Sequence, residues 1–551
     1  MEKLLPSRFM PFVLCVAVLV LSLAMLLGGS PHGVWLWRWL AVLSGALSLV
    51  GLFDMGQRKH TLYRNFPLTA HIRTFFEFFR PMLRQYVVES DTEEVPFSHA
   101  QRALVYQRAK NVEDKRPFGS EQNLYATQYE WINHSLAPAK IEGHDFRITI
   151  GGPECAQPYS ASVFNISAMS FGSLSANAIR ALNEGARRGG FYHDTGEGSL
   201  SRYHREMGGD ICWEIGSGYF GCRNDDGSFS LDKFVENATN PQVKMIEIKL
   251  SQGAKPGHGG VLPAAKVSAE IAEARGVPMG VDCVSPAAHS AFSTPLELLQ
   301  FVARLREKSG GKPTGFKLAI GHPWEWFGIA KAMQESGLLP DFIVVDGGEG
   351  GTGAAPLEFA DHVGAPLREA LLLVHNTLVG LNLRDKVRLG ASGKIITGFD
   401  LARTLALGAD WCNAARGFMF ALGCIQSLNC HTDRCPTGIA TQDPSRWKKL
   451  DVPDKAERVR MFHDNTLKGL KELIAASGLS HPNEIGPEHI IRRVSSTEVR
   501  SLSALYHFVK PGELIGGLPD HAVFRVFWNA ARTDSFAPPK YVLEQHHTKV
   551  R

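Results

Sequence analysis

From Phe146 to about residue 450, short apolar runs alternate with stretches of helical spacing, and the runs often break off at once into glycine, serine or a charged residue. That alternation is the βα rhythm of a parallel sheet. The runs predict strands at Ser162–Ile166, Phe191–His193, Met245–Leu250, Met279–Asp282, Gly315–Ala319, Phe342–Asp346, Val387–Gly390 and Trp411–Ala414. Eight strands is the count of a TIM (β/α)8 barrel. Segments such as ANAIRALNEGARR, PLELLQFVARLREK and FDLARTLALG supply helices between them, while the long gap from His193 to Met245 must hold an insertion. The 551 residues fit one α/β barrel of roughly 250 residues with extensions at both ends.

Those extensions differ in texture. From Pro11 to Gly29 the chain carries no charge, and residues 34–53 are apolar apart from Arg38. Each stretch approaches the roughly 20 residues that span a bilayer, with the tryptophans suited to the interface and Arg38 able to snorkel. Residues 1–60 are therefore expected to form a transmembrane helical hairpin; a cleaved signal peptide and a hairpin lying in the interface are the competing readings. Lys3 and Arg8 before the first segment and Arg58, Lys59 and Arg64 after the second place both ends in the cytoplasm by the positive-inside rule. The expectation is an anchor in the inner (cytoplasmic) membrane with a cytoplasmic catalytic domain. Residues 61–145 read as a membrane-proximal packing segment, 146–450 as the barrel, and 451–551 as a flanking C-terminal helical extension. With 59 basic against 55 acidic residues and no long basic run, nucleic acid is excluded as a partner. Nine cysteines are an odd set for a disulfide framework and suit a reducing compartment.

In a TIM barrel the reacting groups lie at the carboxyl ends of the strands, with phosphate commonly held after strands seven and eight. Ala391-Ser392-Gly393, Thr397-Gly398 and Arg416-Gly417 stand there. Glycine admits close backbone approach, and arginine adds a bidentate contact. After the sixth strand, Gly347, Gly348, Gly350, Gly351 and Gly353 crowd into seven residues, more than one turn needs, which suits a flat ligand. Lys317 within GFKLAI must find an anion if it faces inward, and a reduced flavin supplies one. IEIKLSQGAKPGHGG brings Lys249, Gln252 and Lys255 to the mouth, and DTGEGSLSRYH brings Glu197 and Arg202. Arg202 suits either a substrate carboxylate or a surface ion pair. Cys424, Cys430 and Cys435, spaced C-x5-C-x4-C and followed by Pro436, resemble iron–sulfur ligation, with zinc as the competitor despite the absence of C-x2-C pairs. Cys412 reads as a packed wall residue.

SAMSFGSLS, DTGEG, EIKLSQGAKPGHGG, DGGEGGTGAAP, GASGKIITGFD and GCIQSLNCHTDRCPTGIATQDP, in this order across residues 150–450, resemble the FMN-binding synthase domain of the glutamate synthase family. The resemblance implies a (β/α)8 barrel holding FMN and a [3Fe–4S] cluster on Cys424, Cys430 and Cys435. It implies that 2-oxoglutarate and ammonia give an imine that reduced FMN converts to L-glutamate. Ser167, Met169, Ser170, Lys317, the Gly347–Gly353 loop, Ser392, Gly393, Arg416 and Gly417 would surround FMN. Glu197, Lys249, Gln252 and Arg202 would be the catalytic set around 2-oxoglutarate. The chain departs from the long enzymes in three places: Glu2 and an apolar run stand where a nucleophilic cysteine would open a glutaminase, no GxGxxG follows a strand, and SLSRYH replaces a more acidic continuation after GEG. Free ammonia and an external electron donor are therefore expected, the donor being ferredoxin, a reductase subunit or a membrane carrier. A different keto acid or imine, or a membrane-tethered electron-transfer module, is the alternative.

Overall fold

A computed structural model describes residues 7–29, 33–57, 60–92 and 96–538. Lys3, Arg58 and Lys59, on which the charge argument partly rests, lie outside the described residues, as do 539–551. The chain divides into two compact units, Met1–Ala100 and Gln101–Arg551.

In the first unit, Met10–Leu27 (α1) and Val34–Gly56 (α2) are both long and apolar enough to cross a membrane. They pack against each other through small residues. Ser22, Ser44, Ser48 and Gly51 are buried, and a side-chain carbon at Gly51 would collide with the Phe12 ring. Two of the serines spend their hydroxyls on their own helix: Ser22 Oγ donates to Val18 O at 2.7 Å and Ser44 Oγ to Leu40 O at 2.5 Å. Large apolar side chains such as Leu14, Leu27, Leu49 and Phe53 point outward. At the end of α2, buried Asp54 accepts from Leu68 N–H at 3.1 Å and His71 Nε2 at 2.9 Å, which fixes the start of Thr69–Leu83 (α3).

The second unit is a closed eight-stranded barrel. Its strands are Phe164–Ile166 (β1), His193–Asp194 (β2), Ile211–Ile215 (β3), Val243–Lys249 (β4), Thr314–Leu318 (β5), Phe342–Asp346 (β6), Arg388–Ser392 (β7) and Trp411–Ala414 (β8). They pair in sequential order, all parallel, and β8 closes on β1. Seven of the expected strands are present within a few residues, but Met279–Asp282 is not one. Its Met279 and Val281 are exposed, and the adjacent Cys283–Val284 pairs with Val261–Leu262 in a small ribbon outside the barrel. The missing strand lies in the supposed insertion: Ile211–Ile215, fully buried, is β3. Burial separates the two: every residue of Ile211–Ile215 is buried, whereas Met279 and Val281 face solvent.

The compact barrel unit begins at Gln101 and extends through the C-terminal segment. Val452–Ala476 packs along Ala176–Gly189, whose ends are set by Ser175, accepting from Ala178 N–H, and by Gly190 in the left-handed region. Glu130–Ile132 pairs with Ile490–Arg493. There the buried Glu130 carboxylate receives Arg368 at 3.0 Å, Arg403 at 3.1 Å and Arg492 at 2.8 Å, tying both flanks to the barrel's outer helices. Cys412 is buried in the β8 wall, as its sequence context predicts.

Candidate active site

The barrel interior is polar near its carboxyl-terminal half. Glu214 on β3 is register-paired with Glu247 on β4, and Lys317 on β5 reaches both, contacting Glu214 and lying 3.3 Å from Glu247. The anion required by an inward lysine is thus supplied by the chain itself. Burial, then the Glu214 charge, pushes the Asp194 carboxyl at the end of β2 to about 7. Burial likewise raises Glu247 despite Lys317 beside it. Ligand atoms of Asp194, Cys212 and Glu247 lie within 4.8 Å of one another; the Lys317 ammonium is the cation already at this cluster.

At the mouth, the loops after β2, β3 and β4 converge. Lys249 Nζ lies 3.0 Å from Glu197 Oε1, and Ser285 Oγ donates to Glu197 Oε2 at 3.3 Å. Burial alone pushes the Glu197 carboxyl up, but the charge and hydrogen bond of Lys249 outweigh it and hold the group below its usual range. Gly216 and Gly260 enclose Glu197: a side-chain carbon at Gly216 would stand 2.6 Å from Oε2, and one at Gly260 would collide with Oε1. Glu197, Lys249, Gln252 and Lys255 line one small cavity of about 20 Å³ with Ser217 and Pro286. Lys255 is buried, donates to Ala354 O at 3.0 Å, and is held below its usual range by burial, then by Lys249. His289 Nε2 donates to Lys249 O at 2.8 Å, while Tyr219 Oη lies 3.1 Å from Nδ1. Burial lowers His289 to about 4, so it is a neutral clamp on the backbone carrying Lys249.

The glycine loop after β6 packs against the loop after β4. Gly253 N–H donates to Asp346 Oδ2 at 2.8 Å, and any side chain at Gly253 would strike Gly347 O. Gly347 N–H donates to Ser392 O at 2.8 Å and Gly350 N–H to Gly347 O at 2.9 Å, while the Ser392 hydroxyl bonds Asp346. Gly348 N–H is taken by Ala365 O; Gly351 lies against Arg416, and Gly353 faces open space. Arg416 donates to Glu349 O at 2.5 Å and is lowered to about 10 by burial. At the helix Gly398–Ala406, Thr397 and Asp400 form a reciprocal capping box that takes up the Thr397 and Asp400 amides. On the opposite side, Ser167 N–H donates to Ala414 O at 3.0 Å. Gly196, in the left-handed region, presses on Met169 and Ser170, where a side-chain carbon would lie 2.7 Å from Ser170 N. Gly417 and Gly393 are packed at Ile396 and Leu367 respectively.

The cysteine loop follows Gly423, a left-handed helix terminus. Its sulfurs act on one another. Burial, then neighbours including Cys430 and Cys435, carries Cys424 to about 12, and burial, then Cys435, raises Cys430. Burial opposes ionisation of Cys435, but Thr437 Oγ1, 3.4 Å away, and the Thr437, Ile439 and Ala440 amides outweigh it and lower the thiol. Gln426 N–H points at Cys424 Sγ, 3.5 Å away. The buried Lys266 ammonium lies in the field of Asp433, Cys430 and Cys435. The three thiols lie in one another's field, with amide donors and a buried cation nearby, a chemistry that suits an anionic cluster, although their sulfurs do not all stand within 4.8 Å of each other.

Arg202 is not brought to the Lys249 cavity. It is 63% exposed and pairs with Glu270 at 2.5 Å, the surface arrangement that its sequence context left open. Conversely, Ser217, Ser285, His289 and the enclosing Gly216 were not read from the sequence. Gly216-Ser217 carried a signal, because ICWEI breaks into GSG as the other strands do. Ser285 and His289 carried none, since they reach the site through an irregular β4–β5 connection.

A closed (β/α)8 barrel with a charged cavity and glycine-rich loops at its carboxyl ends is the architecture of an enzyme. The conserved region in glutamate synthase matches residues 121–480, and the chain belongs to the glutamate synthase family as an oxidoreductase of that type. It is 38% identical over 495 residues to the glutamate synthase large subunit-like protein YerD of Bacillus subtilis, covering 82% of this chain and 94% of that protein. It is 36% identical over 314 residues to the archaeal-type glutamate synthase [NADPH] of Thermotoga neapolitana, covering 57% of this chain and 59% of that protein. The archaeal glutamate synthase [NADPH] of Methanocaldococcus jannaschii is 36% identical over 316 residues, with 57% and 59% covered. The chain thus spans about three fifths of the two NADPH enzymes.

Proposed function

We propose that the chain is a membrane-tethered, FMN-dependent glutamate synthase that aminates 2-oxoglutarate with ammonia. The observation that carries this reading is the convergence of Glu197, Lys249, Gln252 and Lys255 at the barrel mouth beside the glycine loop. Two ammonium groups and an amide at one mouth suit a dicarboxylate, and Glu197 orders the Lys249 ammonium so that its remaining N–H groups are available to a keto acid. His289 holds the Lys249 backbone in place, while Gly216 and Gly260 let the walls close on Glu197.

The Gly347–Gly353 loop, Ser167, Met169, Ser170, Lys317, Ser392, Gly393, Arg416 and Gly417 would hold FMN, with Lys317 keeping its Glu214 and Glu247 partners. FMN, when bound, supplies the hydride to the substrate carbon. Cys424, Cys430 and Cys435 would hold a [3Fe–4S] cluster, which would supply one-electron transfer from an external donor such as ferredoxin, a reductase subunit or a membrane carrier. Outward-facing leucines and inward-facing serines on α1 and α2 support a bilayer hairpin. The barrel would then lie on the cytoplasmic side of the inner membrane.

The test is anaerobic: dithionite-reduced full chain in detergent is mixed with 2-oxoglutarate and ammonium while flavin absorbance is followed. Reoxidation requiring both reagents, with glutamate formed, is expected. Flavin and iron present without reoxidation would overturn the substrate assignment.

A further inference from the structure

After α2 ends at Gly56, the chain forms α3 and continues into a wide turn at Arg84–Val88. At helical spacing, Ile72, Phe75, Phe76, Phe79, Met82 and Leu83 fall on one side of α3, while Arg73, Glu77 and Arg80 fall on the other. Except for half-buried Phe79, these apolar residues are exposed, as are Tyr86, Val87 and Val88 beyond them. A solvent-facing aromatic stripe of this extent marks an interaction surface. Its start is pinned: Leu68 N–H and His71 both bind Asp54 in the last turn of α2, and Tyr63 stacks on His71 at 4.6 Å.

We propose that α3 lies in the membrane–water interface as a third membrane element, its aromatic face in the acyl boundary and its arginines at anionic headgroups. This rests on the reading of α1 and α2 as spans. The occupant follows from two observations. The helix leaves the end of a candidate span to which it is hydrogen-bonded, so its first turn stands at bilayer level. Its polar face carries Arg73 and Arg80 with Arg84 beyond, against Glu77, the sign that anionic lipid attracts. Such a helix buries its apolar side about 5–10 Å into the interface.

The experiment uses the full chain in vesicles of phosphatidylcholine with phosphatidylglycerol and a carbene photolabel confined to the acyl region, with labelled residues mapped by mass spectrometry. Label is expected on α1, α2 and the Phe75, Phe76, Phe79 and Met82 side of α3, sparing Arg73 and Glu77. Phe75→Ser/Phe79→Ser should remove α3 label at least fivefold while α1 and α2 remain labelled. Labelled spans with an unlabelled α3 would overturn this inference and leave the anchor standing. Loss of label from all three would overturn the anchor itself. An α3 shielded from lipid in a concentration-dependent manner, with crosslinks between copies, would assign the face to a second copy of the chain and overturn the lipid assignment.

Discussion

Lys249 Nζ and Glu197 Oε1 stand 3.0 Å apart in a glycine-walled cavity, each group nearly closed off from solvent. The pair makes a buried carboxylate tolerable, because Lys249 overcomes the burial that would otherwise neutralise Glu197. Lys249→Ala should therefore lower keto-acid turnover at least about 100-fold, as loss of a positioned charge does, while bound flavin stays near wild-type. Steady-state glutamate formation beside flavin content measures this; full activity in the variant would defeat the assignment.

The pH dependence of stability has a signed expectation at Asp194. Its folded value is raised from 3.8 to about 7, so across that window the native state binds more protons than the unfolded chain. Its contribution is retained at low pH and lost as pH rises toward 7. Asp194→Asn should flatten that part of the Tm profile between pH 4 and 7, and an unchanged slope would show that the group titrates normally.

Cys430→Ser should abolish the iron and acid-labile sulfide content, because a three-thiolate site cannot hold its cluster on two ligands. Unchanged iron with unchanged sulfide would remove Cys430 from the ligand set. Stoichiometric zinc in the wild-type chain would replace the cluster by a different metal.

Gly253 faces Gly347 O so closely that no side chain fits. Gly253→Ala should cost about 1–3 kcal/mol through forced displacement and, by moving the glycine loop, reduce flavin retention on gel filtration. Flavin retained at full occupancy would show that this loop is not part of the cofactor site.

Arg202→Ala should leave turnover within about twofold and stability within about 0.5 kcal/mol, the usual range for a surface change, because its partner Glu270 is on the outer surface. A large rise in KM for 2-oxoglutarate would instead place Arg202 in the substrate's path.

Much of this organisation was legible along the chain. Mainly apolar runs located seven of the eight strands, because a strand buried on both faces is predominantly apolar and carries charge only where it is paired inside, as Lys317 is with Glu214 and Glu247. The same texture marks Ile211–Ile215, which went unread only because the connection around it is long. Met279–Asp282 misled for the opposite reason: its apolar residues are exposed on a loop, and composition does not report which side of the protein a segment faces.

The sequence by itself determined the chemistry available: an apolar N-terminal hairpin, three clustered thiols, glycine-dense loops, and lysines placed where barrel strands end. Only the tertiary structure decided which of these groups meet. Glu197 and Lys249 come together because β2 and β4, with only β3 between them, deliver their ends to the same mouth of a closed barrel, while Arg202, five residues beyond Glu197, is carried outward by the short helix Arg202–Glu206. Lys317 finds Glu214 and Glu247 because parallel register aligns three neighbouring strands, a relation set by closure of the sheet and invisible in linear spacing.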